Sequence, residues 1–185
     1  PKYIKEKILQ EKAIIALTAH QQLAGFCYIE TWEGKNYVAN SGLIVREEFR
    51  HHGLAKRIKK FVFEHTRKKY PNAKIFGITT SLAVMKLNSD LGYKPVTFSE
   101  LTQDDAFWSG CKSCINYDIL TRTGRKNCLC TGMLYDPKEE KKKEFAKIKK
   151  VEKKIPQKLK IPKSQRIKVV KTAGKSKVNK TKKED

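Results

Sequence analysis

A mixed α/β domain built on an α+β-type sheet is the fold class this sequence predicts. Three observations predict it. Three short strand-like runs follow one another with turn residues between them. At Leu54 the apolar spacing changes from the alternation of a strand to the 3.6-residue period of a helix. A strand–helix–strand unit then follows, and its crossover is expected to be right-handed.

The elements come in this order. Residues 3–10 read as the last turns of a helix, with Ile4, Ile8 and Leu9 on one side. Ala13 to Thr18 is an apolar run of strand length, and His20-Gln21-Gln22 reads as a turn. Gly25 to Trp32 is rich in aromatic and β-branched residues and reads as the next strand. Gly34-Lys35-Asn36 is a hairpin turn leading into a strand over Tyr37 to Val45, which completes an antiparallel meander. Leu54, Ile58, Phe61, Val62 and His65 then mark one face of a helix, with Lys56, Arg57, Lys59 and Lys60 on the other; Pro71-Asn72 ends it. Ile75 to Thr80 reads as a strand, and Leu82 to Leu91 as a helix stopped by Gly92 at the C′ position. Val96 to Phe98 and Ile115 to Leu120 are the expected last strands.

The 185 residues carry 41 Lys+Arg against 19 Asp+Glu, a net charge of +22. The excess is uneven: 137–185 holds 20 basic and 6 acidic residues, and 1–136 holds 21 and 13. After Pro137 the only aromatic residue is Phe145, so 137–185 reads as a Lys-rich, mostly disordered tail that cannot bury enough apolar surface to offset chain entropy. Its first stretch is expected to form a transient charged helix, interrupted by Pro156 and Pro162, and the folded part is placed at 1–136. Such a tail is either a passive appendage or a weak, nonspecific nucleic-acid contact acting through phosphates. It has no interleaved aromatics for base stacking. No run approaches the ~18 apolar residues of a membrane helix. The opening PKYIKEKILQ puts charges where a secretory signal needs an apolar stretch, so the expected location is cytoplasmic. The absence of an initial Met reads as a chain within a longer gene product.

Arg50-His51-His52-Gly53-Leu54-Ala55 joins a strand to the N-terminus of a helix. Free backbone N–H groups and the helix dipole suit an anion there, and small residues at Gly53 and Ala55 let it approach the backbone. The stretch Leu43-Ile44-Val45-Arg46-Glu47-Glu48-Phe49 and this loop together resemble the acetyl-CoA-binding motif of the GNAT superfamily of N-acetyltransferases, whose Arg/Gln-x-x-Gly-x-Gly/Ala core is matched by Arg50, Gly53 and Ala55. Ala83 to Tyr93 resembles the family's second signature, a helix ending in Leu-Gly-Phe/Tyr, and the order of motifs agrees across about 30–98.

The resemblance implies a splayed central sheet with flanking helices. It implies acetyl-CoA held by Leu43, Ile44, Val45, Arg50, His51, His52, Gly53, Leu54, Ala55, Lys56 and Asn88, with the pantetheine between the strands of 37–45 and 75–80. It implies direct acetyl transfer to a small-molecule primary amine. Two departures stand out. The family's first strand and helix are missing before Ala13. The Tyr that serves many members as the acid for the leaving thiolate is matched by Asn88, and an amide cannot supply that proton. Tyr93, a nearby Tyr or water are the candidate replacements. Glu30 is the candidate base, because Tyr28 and Trp32 share its face and can raise its pKa; Glu33, Glu47 and Glu48 are weaker choices. Asn40 and Ser41 are candidates to orient substrate.

Cys111, Cys114, Cys128 and Cys130 form C-x2-C-x13-C-x-C, close to a zinc-ribbon spacing. Structural zinc, unligated structural or redox thiols, and a disulfide or iron–sulfur centre are the readings open to this pattern. Arg125-Lys126 beside the second pair is expected to lower thiol pKa values. Cys27 reads as a buried strand residue. The cysteine-rich end resembles a bacterial branch of N-acetylglutamate-synthase-like amino-acid acetyltransferases. That implies the α-amine of a small amino acid such as glutamate, with Arg46, Lys94, Arg122 and Arg125 as the available cations. The rival reading is a noncatalytic module of degenerate GNAT fold that binds nucleic acid or a partner through the basic tail.

Overall fold

The computed structural model describes residues 2–154. The chain divides into a unit over Pro1–Glu144 and a second over Phe145–Asp185. Within the first lie α1 (Lys2–Leu9), β1 (Ala13–Leu17), β2 (Leu23–Trp32), β3 (Tyr37–Val45), α2 (Leu54–Lys69), β4 (Lys74–Thr79), α3 (Leu82–Asp90), β5 (Lys94–Val96), α4 (Asp105–Ser109), α5 (Tyr117–Arg122) and β6 (Thr131–Tyr135). The helix α6 spans Pro137–Lys154. The interruptions expected at Pro156 and Pro162, and the last twenty residues, lie outside the described residues. No helix among the described residues is long and apolar enough to cross a membrane.

The six strands form one mixed sheet in the order β1-β2-β3-β4-β6-β5. Its only parallel pair is β3 with β4, which holds for three residue pairs, Tyr37↔Lys74, Val38↔Ile75 and Ala39↔Phe76. Beyond Ala39 the two strands part. β3 stays paired to β2 as far as Val45, and β4 stays paired to β6 as far as Thr79, so each half is carried away intact. The sheet therefore opens as a V between Asn40–Val45 and Gly77–Thr79.

Two cores form on opposite faces. Under α2, Ile58 and Val62 pack with Cys27, Ile29, Val38 and Ala73. On the other face, Phe76 meets Phe107 with ring centroids 4.9 Å apart, amid Phe98, Leu101, Trp108, Leu120 and Leu134. A third cluster, Ile75, Tyr93, Met133 and Tyr135, lies beside α3.

Three expectations are corrected. Ile115 to Leu120 is not the final strand: Tyr117–Arg122 is helix α5, and the final strand is Thr131–Tyr135. The short strand after α3 ends at Val96, and Phe98 begins a 3-10 turn closed by a Thr97–Glu100 capping box. The buried face of α2 is also turned from the one expected. Lys59 is 3% exposed and Phe61 is 57% exposed, because Ile58, Lys59, Val62 and Thr66 face the sheet.

A bulge shapes the opening. The β2–β3 register shifts between Phe26 and Tyr28, opposite Gly42, whose φ is +64°. A Cβ on Gly42 would run into the Tyr28 ring. Nearer the apex, Thr66 Oγ1 on α2 donates to Asn40 Oδ1 on β3 at 2.9 Å, in a fully buried bond. Gly42→Ala is expected to destabilise the fold by ~1–3 kcal/mol through left-handed strain and the clash. Thr66→Val, which strands the Asn40 acceptor, is expected to cost ~1–3 kcal/mol. Urea unfolding of each variant beside the wild type measures both.

Candidate functional site

The loop between β3 and α2 is built by two residues in left-handed conformation, His51 at φ 62° and Gly53 at φ 73°. Arg46 N–H donates to Ala24 O at 3.0 Å, fixing the strand exit. Arg50 folds back, its Nε donating to Val45 O at 3.1 Å, and His52 Nδ1 lies 2.5 Å from Arg50 O. Helix α2 has no side-chain cap at its N-terminus, and its first internal bond is Arg57 N–H to Gly53 O. The N–H groups of the first turn are thus left without intrahelical partners. A Cβ added to Gly53 would meet nothing within 4 Å, so the backbone there faces open space.

That space is a cavity of about 440 Å³ bounded by Val45, Arg50, Gly53, Ala55, Lys56 and, from α3, Leu87, among others. The anion-binding features expected of the loop converge here: a dipole end, free N–H donors, and the charges of Arg50 and Lys56. Lys56 is partly neutralised by Asp90 at 3.3 Å. Leu43 and Val45 pack towards the α2-side core, while Ile44 points to the other face and is exposed.

A buried polar group closes the apex of the V. Asn40 Nδ2 donates to Tyr93 Oη at 3.3 Å, and Asn40 Oδ1 accepts from Thr66. Asn88, 2% exposed, lies on the opposite wall: a Cβ on Gly77 would stand 4.0 Å from its Nδ2. Its Oδ1 is buried without a hydrogen-bond partner among the described residues. A buried carbonyl left unpaired costs ~1–3 kcal/mol, so this atom is a vacant acceptor beside the gap. Tyr93, the candidate acid, has its phenol pushed well above the ordinary range, first by burial and then by Cys27, which disfavours release of its proton.

Glu30, the candidate base, is engaged elsewhere. Its carboxylate pairs with Lys7 and accepts from Tyr3 Oη at 2.5 Å, so α1 is tied down over β2 by this group. Glu33 accepts from Thr102 Oγ1 at 2.7 Å and from Gln103 N–H at 2.6 Å, a loop-holding role. Glu48 pairs with Arg46 on the surface at 2.5 Å. The four cations expected for an amino-acid carboxylate are not gathered: Arg46 pairs with Glu48, Lys94 with Glu139, Arg122 with Asp118 and Arg125 with Asp105.

The four clustered cysteines do converge, around a cavity of about 20 Å³ also lined by Ile78, Phe98, Trp108 and Leu120. They are free thiols, and among the described residues no three or more Cys, His, Asp or Glu are arranged to hold a metal ion. Zinc is therefore not supported, and the residues between the two cysteine pairs include helix α5. Cys114 is exposed, and Cys128 directs its thiol towards Asn116 O at 3.9 Å. The expected lowering of thiol pKa values is also reversed. Cys130 is pushed up to about 11, first by burial and then by Cys128, and burial raises Cys111. Arg125 is instead paired with Asp105 at 2.6 Å.

Sequence reasoning missed Thr66 and Lys59 as members of this region. The signal was present in their spacing: Lys59, Val62 and Thr66 stand at i, i+3 and i+7, one helical face.

No protein-family profile matches the chain, and no curated protein does. Among solved structures it is similar to N-acetylglutamate synthase from Neisseria gonorrhoeae, complexed with coenzyme A and N-acetyl-glutamate, at 14% identity and a TM-score of 0.51. The match covers 73% of this chain and 27% of that one. A GNAT-family acetyltransferase from Staphylococcus aureus aligns at 14% identity and TM-score 0.49, over 74% of this chain and 75% of that one. A Bacillus subtilis acetyltransferase in complex with CoA aligns at 16% and 0.47, over 73% and 83%. The likeness is one of fold: this chain shares the fold of the part of N-acetylglutamate synthase that it matches.

Proposed function

We propose that this chain is an acetyl-CoA-dependent N-acetyltransferase that passes the acetyl group directly to a primary amine. The observation that carries this reading is the uncapped, left-handed entry to α2 opening into a cavity between the end of β3 and α3, in a sheet whose strands β3 and β4 part. A pyrophosphate is the natural ligand for free N–H groups at a helix start flanked by Arg50 and Lys56. The gap between Asn40–Val45 and Gly77–Thr79 offers unpaired backbone on both walls. An extended, amide-bearing chain such as pantetheine can satisfy those groups, and the vacant Asn88 Oδ1 can accept from one of its amides.

Bound acetyl-CoA supplies the activated acyl group. The chain contributes binding, alignment and exclusion of water: the loop holds the anionic end, and the gap aims the thioester at the apex. The acceptor class is a small primary amine. The narrower candidate, the α-amine of an amino acid such as glutamate, rests on the likeness of the cysteine-rich end to amino-acid acetyltransferases. The ion pairs of Arg46, Lys94, Arg122 and Arg125 would have to open or be bypassed for it.

Gly53→Asp sets a negative charge against the proposed phosphate position. It is expected to lower CoA affinity at least about tenfold by isothermal titration. Gly53→Asn makes the same backbone demand without the charge and is expected to lose less. Unchanged affinity in Gly53→Asp would sink the reading. Acetyl-CoA-dependent thiol release, screened over amino acids and polyamines, then identifies the acceptor.

A further inference from the structure

Four of the five cysteines line one small cavity, and all are free thiols. Two of them share a turn. Cys111 lies in a 3-10 turn over Gly110–Ser113, and Cys114 ends it, its N–H donating to Cys111 O at 2.9 Å. A turn of this i to i+3 kind holds its end Cα atoms less than ~7 Å apart, within the span that a disulfide bridges. Both side chains line the same cavity of about 20 Å³, so the two thiols are directed to one place. Their surroundings differ. Cys114 is exposed, whereas Cys111 is half-buried and its thiol is raised, first by burial and then by Cys114 and Cys128.

The space around the pair selects what it can become. A cavity of about 20 Å³ has no room for a second molecule held among the cysteines. A disulfide between Cys111 and Cys114 needs no added room, because two hydrogens leave and nothing enters. Cys128 and Cys130, whose thiols hydrogen-bond to each other, complete the sulfur lining. The neighbouring cavity is larger. It measures about 750 Å³, in the range of small-molecule sites, and shares Trp108, Tyr117 and Leu120 with the thiol cavity. Lys112, Arg125 and Lys126 line it against one carboxylate, Asp105, which Arg125 pairs at 2.6 Å. Lys112 stands between Cys111 and Cys114 in the turn itself. The excess of cations favours a negatively charged ligand beside the dithiol.

We propose that Cys111 and Cys114 form a thiol–disulfide exchange site for a small, negatively charged disulfide. The site is separate from the acetyl-CoA reading and does not depend on it. The exposed Cys114, as thiolate, attacks one sulfur of the small disulfide. A bond forms between that sulfur and Cys114, the original sulfur–sulfur bond breaks, and one thiolate leaves. Cys111 loses its proton to solvent and attacks the Cys114 sulfur, which releases the second thiolate and closes the Cys111–Cys114 disulfide. The protein gives up two electrons and two protons, and the small disulfide takes up both as two free thiols.

The test incubates the full chain with glutathione disulfide, alkylates the remaining thiols and reads the intact mass and the peptide map. Wild type is expected to lose two alkylatable thiols and retain no glutathione, and its new disulfide is expected to map to Cys111 and Cys114. Cys111→Ser is expected to retain glutathione on Cys114, since nothing displaces it. Cys114→Ser is expected to slow oxidation at least about tenfold, because the thiol left in the turn is half-buried. Lys112→Glu is expected to slow it about threefold or more by repelling the anionic disulfide. Glutathione retained by wild type, a disulfide between any other pair of cysteines, or all five cysteines still alkylated at the end overturns the site. An unchanged rate in Lys112→Glu overturns the charge assigned to its ligand. The wild-type result decides the site by itself, so misfolding of a variant cannot rescue it.

Discussion

The rest of this structure depends on the parting of β3 and β4 after three residue pairs. A parallel pair is normally continued until its strands end, because each unpaired N–H or C=O inside a sheet is costly. Here the separation is held from both sides. β2 keeps β3, with the Gly42 bulge and the Tyr28 ring increasing its bend, and β6 keeps β4 through five antiparallel pairs. The two halves bend apart as units, each keeping the ladder on its outer edge. The gap is thus a stable product of the topology, and the loop before α2 opens at its wide end.

The narrow end explains the distribution of polar residues. Asn40, Thr66, Asn88 and Lys59 are all buried, in a protein whose other buried residues are nearly all apolar. Asn40, Thr66 and Asn88 lie where the sheet opens, and among the described residues Asn88 Oδ1 has no hydrogen-bond partner and Lys59 has only an aromatic face. Among the described residues the other buried polar side-chain atom without a partner is Trp32 Nε1, in the core on the other face. Buried polar groups gathered at one place are expected where stability has been exchanged for a site.

Much of this was legible in sequence, and the parts that were not have physical reasons. β3 was readable end to end because Tyr37–Val45 lies between a turn and a charged run, and α2 because sixteen residues give more than four turns of periodicity. The loop at Arg50–Ala55 was visible because glycine and small residues mark a backbone requirement. Ile115–Leu120 was read as a strand because six residues with three apolar positions fit either period. The choice was made by tertiary packing of Leu120 and Tyr117 against Trp108 and Phe98. Thr131–Tyr135, with Gly132 in it, looks weak as a strand until it is paired on both sides by β4 and β5. A Cβ at Gly132 would crowd Val96 O at 3.0 Å, so the residue that hides the strand in sequence is one the packing requires.

Charge shows the same limit most clearly. Lys59 was counted among the cations that fill the solvent face of α2, where Lys56 and Lys60 do lie. One helical residue is 100° of rotation, and that rotation separates a hydrated ammonium from a buried amine. Sequence spacing places a residue on a helix to within about one position, whereas the surroundings of a lysine change across that interval: an exposed ammonium is hydrated, and burial lowers the pKa of an enclosed one. The burial of Phe61 would have been the cheaper arrangement by area alone. The helix instead exposes the Phe and turns the Lys inward, over the ring of Tyr93. A net charge of +22 cannot distinguish these cases.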